Sequence, residues 1–257
     1  MISSLAADET NFLRLEKLLR LRSYFGDIYG STDLCVLLYV LAKRERPKCV
    51  VELGTGLGVC TAWLSLALLE VGEGHIWTFD DGSHLLKKEI VRNAATSVRK
   101  LFNLPPNPDE NLKALFLDLI RELDLEGNVT FVDQHIDYDE RLRIVIDRID
   151  AKEINWLFSD ISHGPKEIST IIGTFVPKMS EYGSIFIDSA SNNIYSAPYL
   201  ERVVPLLNAG LLPQSPDFKV WADGPQNMTS RVFELIHLRE ARDGPQNSTA
   251  WIRIHPK

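Results

Sequence analysis

The sequence predicts an α/β fold, with a seven-stranded, mostly parallel sheet, helices on both faces and an antiparallel last strand. Three observations predict it. Beyond residue 46, short apolar runs rich in β-branched residues alternate with helical stretches, as expected of a parallel sheet covered by helices. A glycine-rich turn follows the first run, and no helical stretch separates the last two runs. The 257 residues are predicted to form a single domain with a sizeable core.

The N-terminal segment, residues 1–46, is predicted to be a helical extension that acts as a lid on the core at 47–257. Residues 10–25 place Phe12 and Leu15 at helical spacing, which indicates an amphipathic helix with an apolar stripe. A second helix is predicted at 34–42, after a cluster of N-capping residues. Because the stripe of the first helix needs a cover, a homodimer is expected to be possible.

Seven apolar runs are the predicted strands, and helical stretches lie between the first five and after the fifth. Each of the first four connections is long enough for a parallel crossover, whereas the polar link between the last two runs fits an antiparallel pair. The helices are predicted at 60–71, 84–102, 110–123, 139–149, 165–179 and 198–209. The strands are predicted at 49–53, 75–79, 128–132, 154–158, 183–187, 231–238 and 250–255.

Charge and composition exclude several classes of protein. A formal net charge of -7 argues against a nucleic-acid-binding surface, which needs clustered basic residues, and favours a small-molecule substrate. The sequence has no apolar run long enough for a membrane span and no signal-peptide pattern, so a cytoplasmic location is expected. Its three cysteines have no CxxC spacing, which argues against a zinc site or a disulfide framework.

The strongest local motif is the glycine turn that follows the first predicted strand. Residues 50–58 read Val-Val-Glu-Leu-Gly-Thr-Gly-Leu-Gly, and a helix is predicted to begin directly after them. Glycines allow a ligand to approach the backbone closely, and a helix N-terminus presents free amides. The turn lacks the lysine of an ATP-binding loop. It also lacks the glycine at the sixth position of the GxGxxG pattern, which is typical of a dinucleotide-binding loop. It therefore predicts a site for another polar cofactor.

The motif E-L-G-T-G-x-G after an apolar strand resembles the first motif of class I S-adenosylmethionine-dependent methyltransferases. The order of strands from residue 49 to residue 255 resembles the Rossmann-like fold of the same family. This resemblance implies that the turn holds the methionine portion of S-adenosylmethionine. The residues at the matching positions are Glu52, Gly54, Thr55, Gly56 and Gly58.

Carboxylates follow the second and third predicted strands. Asp80 and Asp81 end the second strand, where a carboxylate can accept hydrogen bonds from ribose hydroxyls. We expect Asp80 to bind the ribose and Asp81 to face solvent, although either could take the first role. Asp133, followed by Gln134, resembles the family position that contacts the adenine amino group, and the alternative for Asp133 is a loop-capping residue.

Three residues after the fourth and fifth strands are the candidates for the chemistry. Asp160, His163 and Asp188 lie at the predicted carboxyl ends of strands, where open α/β sheets bind ligands. The pattern resembles small-molecule O-methyltransferases, including a subgroup whose carboxylates bind a divalent metal. That resemblance implies a cofactor or catalytic role for Asp160 and a possible Mg site at Asp160 and Asp188. However, Ser189 stands where the metal-binding subgroup has Asn or Asp, so we favour His163 as a metal-free general base.

Five aromatic residues are expected near the pocket. An aromatic ring can attract a sulfonium cation, and a helical lid can exclude water from the reaction. Packing in the core or on the surface is the alternative role for each of these residues. They are Tyr24, Phe25, Tyr29, Tyr195 and Tyr199.

The predicted function is methyl transfer from S-adenosylmethionine to an oxygen of a small metabolite, with nitrogen as the lesser alternative. A second hypothesis is a cyclase or lyase of the same fold that releases methylthioadenosine from the cofactor. A third is a non-catalytic module that binds the cofactor. The carboxylates and the histidine that accompany the glycine turn favour an enzyme.

Overall fold

The computed structural model describes residues 2–25, 32–83, 88–107, 111–136, 141–191, 193–214, 221–240 and 248–257. The strands of its main sheet are β1 (Cys49–Leu53), β2 (His75–Asp80), β3 (Val129–Asp133), β4 (Ile154–Ser159), β5 (Met179–Asp188), β8 (Arg231–Arg239) and β9 (Ser248–Pro256). Their order in the sheet is β3-β2-β1-β4-β5-β9-β8. The predicted seven-stranded α/β fold is confirmed.

The last strand runs against its neighbours, as predicted. β9 lies between β5 and β8 and pairs antiparallel with both, whereas the pairs β2 with β3, β1 with β4 and β4 with β5 are parallel. A separate two-stranded sheet, formed by β6 (Leu211–Pro213) and β7 (Trp221–Asp223), was not predicted. Strands of three residues are too short to show the alternation of apolar and polar residues on which the prediction depends.

The helices within the described residues are α1 (Ile2–Phe25), α2 (Thr32–Glu45), α3 (Val59–Val71), α4 (Lys88–Phe102), α5 (Leu112–Glu122), α6 (Arg141–Asp147), α7 (Pro165–Phe175) and α8 (Ser196–Asn208). α1 begins earlier than the predicted residue 10. The prediction that α7 extends to residue 179 is wrong, because the α-helix stops at Phe175 and β5 begins at Met179. Pro177 lies in the short 3-10 turn between them, and its missing N–H cannot continue an α-helix.

Residues 1–47 and 55–133 form one compact unit, called the first unit below. In it, α1 packs against α3 and α4, and α2 packs against α3. Leu18 and Leu21 of α1 are fully buried in a hydrophobic core that includes Trp63. Phe12 and Leu19 of the same helix are exposed. The apolar stripe of α1 is thus partly covered within its own unit, and the homodimer stays a prediction.

Residues 48–54 and 134–257 form the second unit. β1, β4, β5, β9 and β8 are adjacent within it, and the central strands are buried along their length. This continuous burial explains their near-unbroken apolar sequences. These strands therefore hold the side chains at the carboxyl ends of β1, β4 and β5 in fixed positions.

A membrane span was not predicted, and among the described residues no helix is both long enough and apolar enough to cross a bilayer. Cys35, Cys49 and Cys60 form no disulfide with one another. Burial raises the pKa of the Cys49 thiol to about 11, so the thiol stays protonated at neutral pH.

Candidate functional site

The glycine turn after β1 depends on backbone conformations that favour glycine. Gly54 and Gly58 have φ values of +91° and +76°, which lie in the left-handed region that side chains disfavour. The amide of Gly58 donates to the carbonyl of Thr55 at 2.8 Å, and α3 begins directly after Gly58. The N-terminus of α3 therefore lies at the end of the turn, as the sequence predicted, and its amides can bind a polar group.

In the first unit, the carboxylate of Asp80 holds this turn from the side. Asp80 ends β2 and is only 4% exposed. Its Oδ2 accepts a hydrogen bond from the Gly56 amide at 2.9 Å, and its Oδ1 accepts one from the Gly82 amide at 2.7 Å. These two bonds fix the Asp80 carboxylate beside the glycine turn.

The neighbouring Asp81 has a different environment. Asp81 is exposed, and its Oδ1 accepts a hydrogen bond from the Ser83 amide at 2.8 Å. It serves its own turn, in the manner common for aspartate. Its position agrees with the expectation that Asp81 faces solvent and leaves Asp80 as the candidate for the ribose.

Asp133 at the end of β3 is paired with a lysine. Its carboxylate lies 3.1 Å from the ammonium of Lys113, and both side chains are about half exposed. The same ammonium lies over the ring of Phe131, 6.0 Å from its centroid, and Phe131 packs against Phe116 at 5.1 Å between ring centroids. The end of β3 thus has an aromatic pair next to an ion pair. The contact of Asp133 with adenine stays a prediction.

In the second unit, Glu52 and Gly54 lie at the end of β1 beside β4. The side chain of Glu52 is fully buried. The Asp160 amide donates to the Leu53 carbonyl at 2.9 Å, and a Cβ on Gly54 would lie 2.7 Å from the Asp160 carbonyl oxygen. Glycine at position 54 is therefore required by the close approach of the backbone after β4. This contact positions the half-buried Asp160.

His163 lies two residues before α7, on the segment that follows β4. Its Nδ1 is buried and has no hydrogen-bond partner among the residues that the structure describes. Burial lowers the pKa of His163 below its usual value, and a hydrogen bond with the backbone of Asp188 opposes that shift in part. The hydroxyl of Ser196, the first residue of α8, donates to the His163 carbonyl oxygen. The imidazole is thus a fixed base that favours its neutral form.

Asp188 ends β5 and is only 1% exposed. Its Oδ1 accepts a hydrogen bond from the Thr249 hydroxyl at 2.9 Å, and its Oδ2 accepts one from the Ser189 hydroxyl at 3.1 Å. Burial raises the pKa of Asp188 to about 6, with a smaller rise from Glu240 and opposing effects from both hydroxyl donors. Ser189 itself has a φ of +56°, a conformation that strains a non-glycine residue. The Asp188 carboxylate is thus buried, and both of its oxygens accept hydrogen bonds from hydroxyl groups of the protein.

Potential metal ligands are not clustered in the part of the chain that the structure describes. No group of three His, Cys, Asp or Glu side chains that could hold a metal ion is found among the described residues. Both oxygens of Asp188 already accept from hydroxyl groups of the protein. The geometry therefore gives no support to the predicted Mg site at Asp160 and Asp188.

The predicted aromatic residues have different environments. Tyr195 is 70% exposed, whereas Tyr199 is buried in α8. Burial raises the pKa of Tyr199, opposed by a hydrogen bond with Ser169, which indicates a packing role. Tyr29 and the side chains of Tyr24 and Phe25 lie outside the described residues.

Several residues that shape the two regions were not predicted. Thr249 contacts Asp188 across 61 positions of sequence, and Ser196 contacts His163 across 33 positions. Thr78 shares a 2.6 Å hydroxyl contact with Thr55 of the glycine turn. No local pattern marks these side chains, because their partners come together only through sheet pairing and helix packing.

Comparisons with known proteins agree with this arrangement. A family model described as a methyltransferase domain matches residues 51–190. No curated protein matches the sequence. Solved structures with a similar fold are numerous, and three of them are described next.

An O-methyltransferase from Streptomyces achromogenes involved in tomaymycin synthesis, in complex with SAM, has a TM-score of 0.55 at 13% identity, over 94% of this chain and 89% of that chain. An O-methyltransferase from Bacillus cereus in complex with SAH has a TM-score of 0.54 at 12% identity, over 97% and 91%. An SAH-bound methyltransferase from Podospora anserina has a TM-score of 0.52 at 15% identity, over 95% and 87%. At these identities the similarity supports the fold alone.

Proposed function

Since this chain belongs to the methyltransferase-domain family, we propose that it transfers a methyl group from S-adenosylmethionine to an oxygen of a small metabolite. The turn from Glu52 to Gly58 is proposed to hold the methionine portion of the cofactor, and Asp80 the ribose. Asp133 is proposed to contact the adenine. The left-handed glycines and the Asp80 carboxylate at the end of β2 fit such a polar ligand.

The observation that carries the proposed chemistry is the buried Nδ1 of His163, which has no partner among the described residues. A general base must be unprotonated at the working pH and within reach of the proton that it accepts. Burial lowers the pKa of His163, so the imidazole is neutral at pH 7 and able to accept a proton. We therefore propose Nδ1 as the acceptor atom, which the substrate reaches by displacing the side chains that cover it.

S-adenosylmethionine supplies an electrophilic methyl group on a sulfonium when it is bound. In the proposed reaction the acceptor oxygen forms a bond to that methyl, the bond from sulfur to methyl breaks, and the hydroxyl proton passes to Nδ1 of His163. The products are a methyl ether and S-adenosylhomocysteine. Ser196 and the Asp188 backbone hold the histidine in place, and such positioning is a major source of rate enhancement.

Mg does not fit the second unit as described. Mg favours several oxygen ligands and retains water, whereas Asp188 is almost fully enclosed and both of its oxygens accept hydrogen bonds from hydroxyl groups. We therefore propose a metal-free reaction in which Asp160 stands beside the acceptor. Asp188 then supports His163 and does not contact the substrate.

The test uses S-adenosylmethionine labelled in its methyl group, with the small-molecule fraction of a cell extract as the source of acceptor. We expect labelled methyl ethers and S-adenosylhomocysteine as products. His163→Ala should lower the rate by about 100-fold to 10,000-fold, the range for loss of a general base, with cofactor affinity intact. His237→Ala is a matched control on β8, because it removes a half-exposed histidine and should leave the rate unchanged.

Three outcomes would contradict parts of the proposal. Release of methylthioadenosine would support the cyclase or lyase hypothesis instead of methyl transfer. Cofactor binding without any turnover would support a binding module. Loss of activity with a chelator, restored by Mg, would contradict the metal-free reaction, especially if His163→Ala kept its rate.

A further inference from the structure

Two large apolar side chains are exposed next to each other on the segment that links β5 to α8. Ile194 is 77% exposed and Tyr195 is 70% exposed. Among the described residues of the second unit, the other exposed large apolar side chain is Tyr182, near the opposite end of β5. Single exposed apolar residues are common on protein surfaces, whereas contiguous apolar surface is a feature of binding sites.

Hydrogen bonds hold this segment in one conformation. The side-chain oxygen of Asn193 accepts from the amides of Tyr195 and Ser196, at 2.9 and 3.2 Å. This oxygen satisfies amides at the start of α8, which would otherwise have no intrahelical acceptor. Ile194 and Tyr195 are therefore exposed in a turn whose backbone is fixed by hydrogen bonds.

The same segment is attached to His163. Ser196 directly follows Tyr195, and its hydroxyl donates to the His163 carbonyl oxygen. β4 and β5 pair in parallel, so the segments that follow them leave the sheet at the same edge. The exposed pair thus adjoins the residue that carries the buried base, within the second unit.

We propose that Ile194 and Tyr195 bind the apolar face of the methyl acceptor and determine its class, a hydroxyl compound with an apolar body. This inference rests on the proposed function. Ligand sites combine an apolar wall with a few placed polar groups, and here the wall is the exposed pair and the polar group is His163. Contact with the acceptor removes both side chains from water and keeps water from the reacting oxygen.

The test measures binding of 4-alkylphenols, from 4-methylphenol to 4-butylphenol, to the enzyme saturated with S-adenosylhomocysteine, by titration calorimetry. For the unmodified enzyme we expect the affinity to rise by up to about fourfold for each added methylene, the factor for its transfer out of water. In the double variant Ile194→Ser/Tyr195→Ser, the rise should fall below about twofold. Tyr182→Ser removes an equally exposed tyrosine and should keep the original dependence.

The outcomes separate this inference from the proposed function. If S-adenosylhomocysteine binds but no phenol binds, or if the double variant keeps the original dependence on chain length, the acceptor surface is wrong. If the unmodified enzyme does not bind S-adenosylhomocysteine, the proposed function is contradicted instead. S-adenosylhomocysteine affinity of the double variant reports its folding, and the single variant Tyr195→Ser provides the same comparison if the double variant loses that affinity.

Discussion

Asp80 in the first unit and Asp188 in the second both end strands and are both buried, yet they accept hydrogen bonds from different donors. Asp80 accepts from two backbone amides of glycine residues, whereas Asp188 accepts from two side-chain hydroxyls. Backbone amides of a turn are fixed by the fold, so they set the position of the Asp80 carboxylate beside the glycine turn. Asp188 is instead held by the Thr249 hydroxyl of the neighbouring strand β9 and by the Ser189 hydroxyl, so its position depends on the pairing of β5 with β9.

The largest effect expected from this comparison is on cofactor affinity. Asp80→Ala should weaken binding of S-adenosylmethionine by about 1.5 to 3 kcal/mol, the range for hydrogen bonds to a charged group, because both the proposed ribose contact and the support of the Gly56 amide are lost. Isothermal titration measures the change. Asp81→Ala is the matched control and should have little effect, and a larger loss in the control would reverse the roles of the two residues.

The sequence alone predicts the first of these regions better than the second. Gly82 lies two positions after Asp80, and the glycines after β1 form a local motif, so both halves of this region are marked in the sequence although the bond from Gly56 to Asp80 spans 24 positions. The position of β9 between β5 and β8 has no local signal, and Thr249 reaches Asp188 only through that pairing. The same limit explains why the short β6 and β7 were missed, and why Ser196 was not linked to His163.

The next expected effect concerns stability and its dependence on pH. Burial raises the pKa of Asp188 from 3.8 to about 6, so its contribution to stability is complete below about pH 4 and is lost as the pH rises through 6. Asp188→Asn carries no charge. It should therefore raise the free energy of unfolding at pH 8 by about 1 to 3 kcal/mol, since one pKa unit corresponds to about 1.4 kcal/mol.

Urea unfolding at pH 8 and pH 4.5 checks this prediction, with Asp150→Asn as a control at an exposed position. The gain in Asp188→Asn should shrink at the lower pH, where the original carboxyl is largely protonated. A loss of stability at pH 8 would mean that the ionised carboxylate is a favourable part of the fold and that its enclosure by Thr249 and Ser189 more than offsets the cost of burial.

The smallest expected effect tests the hydroxyl of Thr249 as a support of Asp188. Thr249→Val keeps the shape of the side chain and removes the donor to Oδ1. At pH 5, where the carboxyl is mostly neutral, the loss in unfolding free energy should be about 0.5 to 1.5 kcal/mol, the value for an ordinary hydrogen bond. At pH 8 the loss should be larger, because a charged acceptor strengthens the bond.

Thr249→Ser keeps the hydroxyl and should restore the pH dependence of the original protein even if the lost methyl group lowers stability uniformly. In the Asp188→Asn background the extra loss at pH 8 should disappear, because no charge is left for the hydroxyl to stabilise. A Thr249→Val variant whose loss is the same at both pH values would show that the threonine contributes packing alone. In that case β9 would pack beside β5 without affecting the pKa of Asp188.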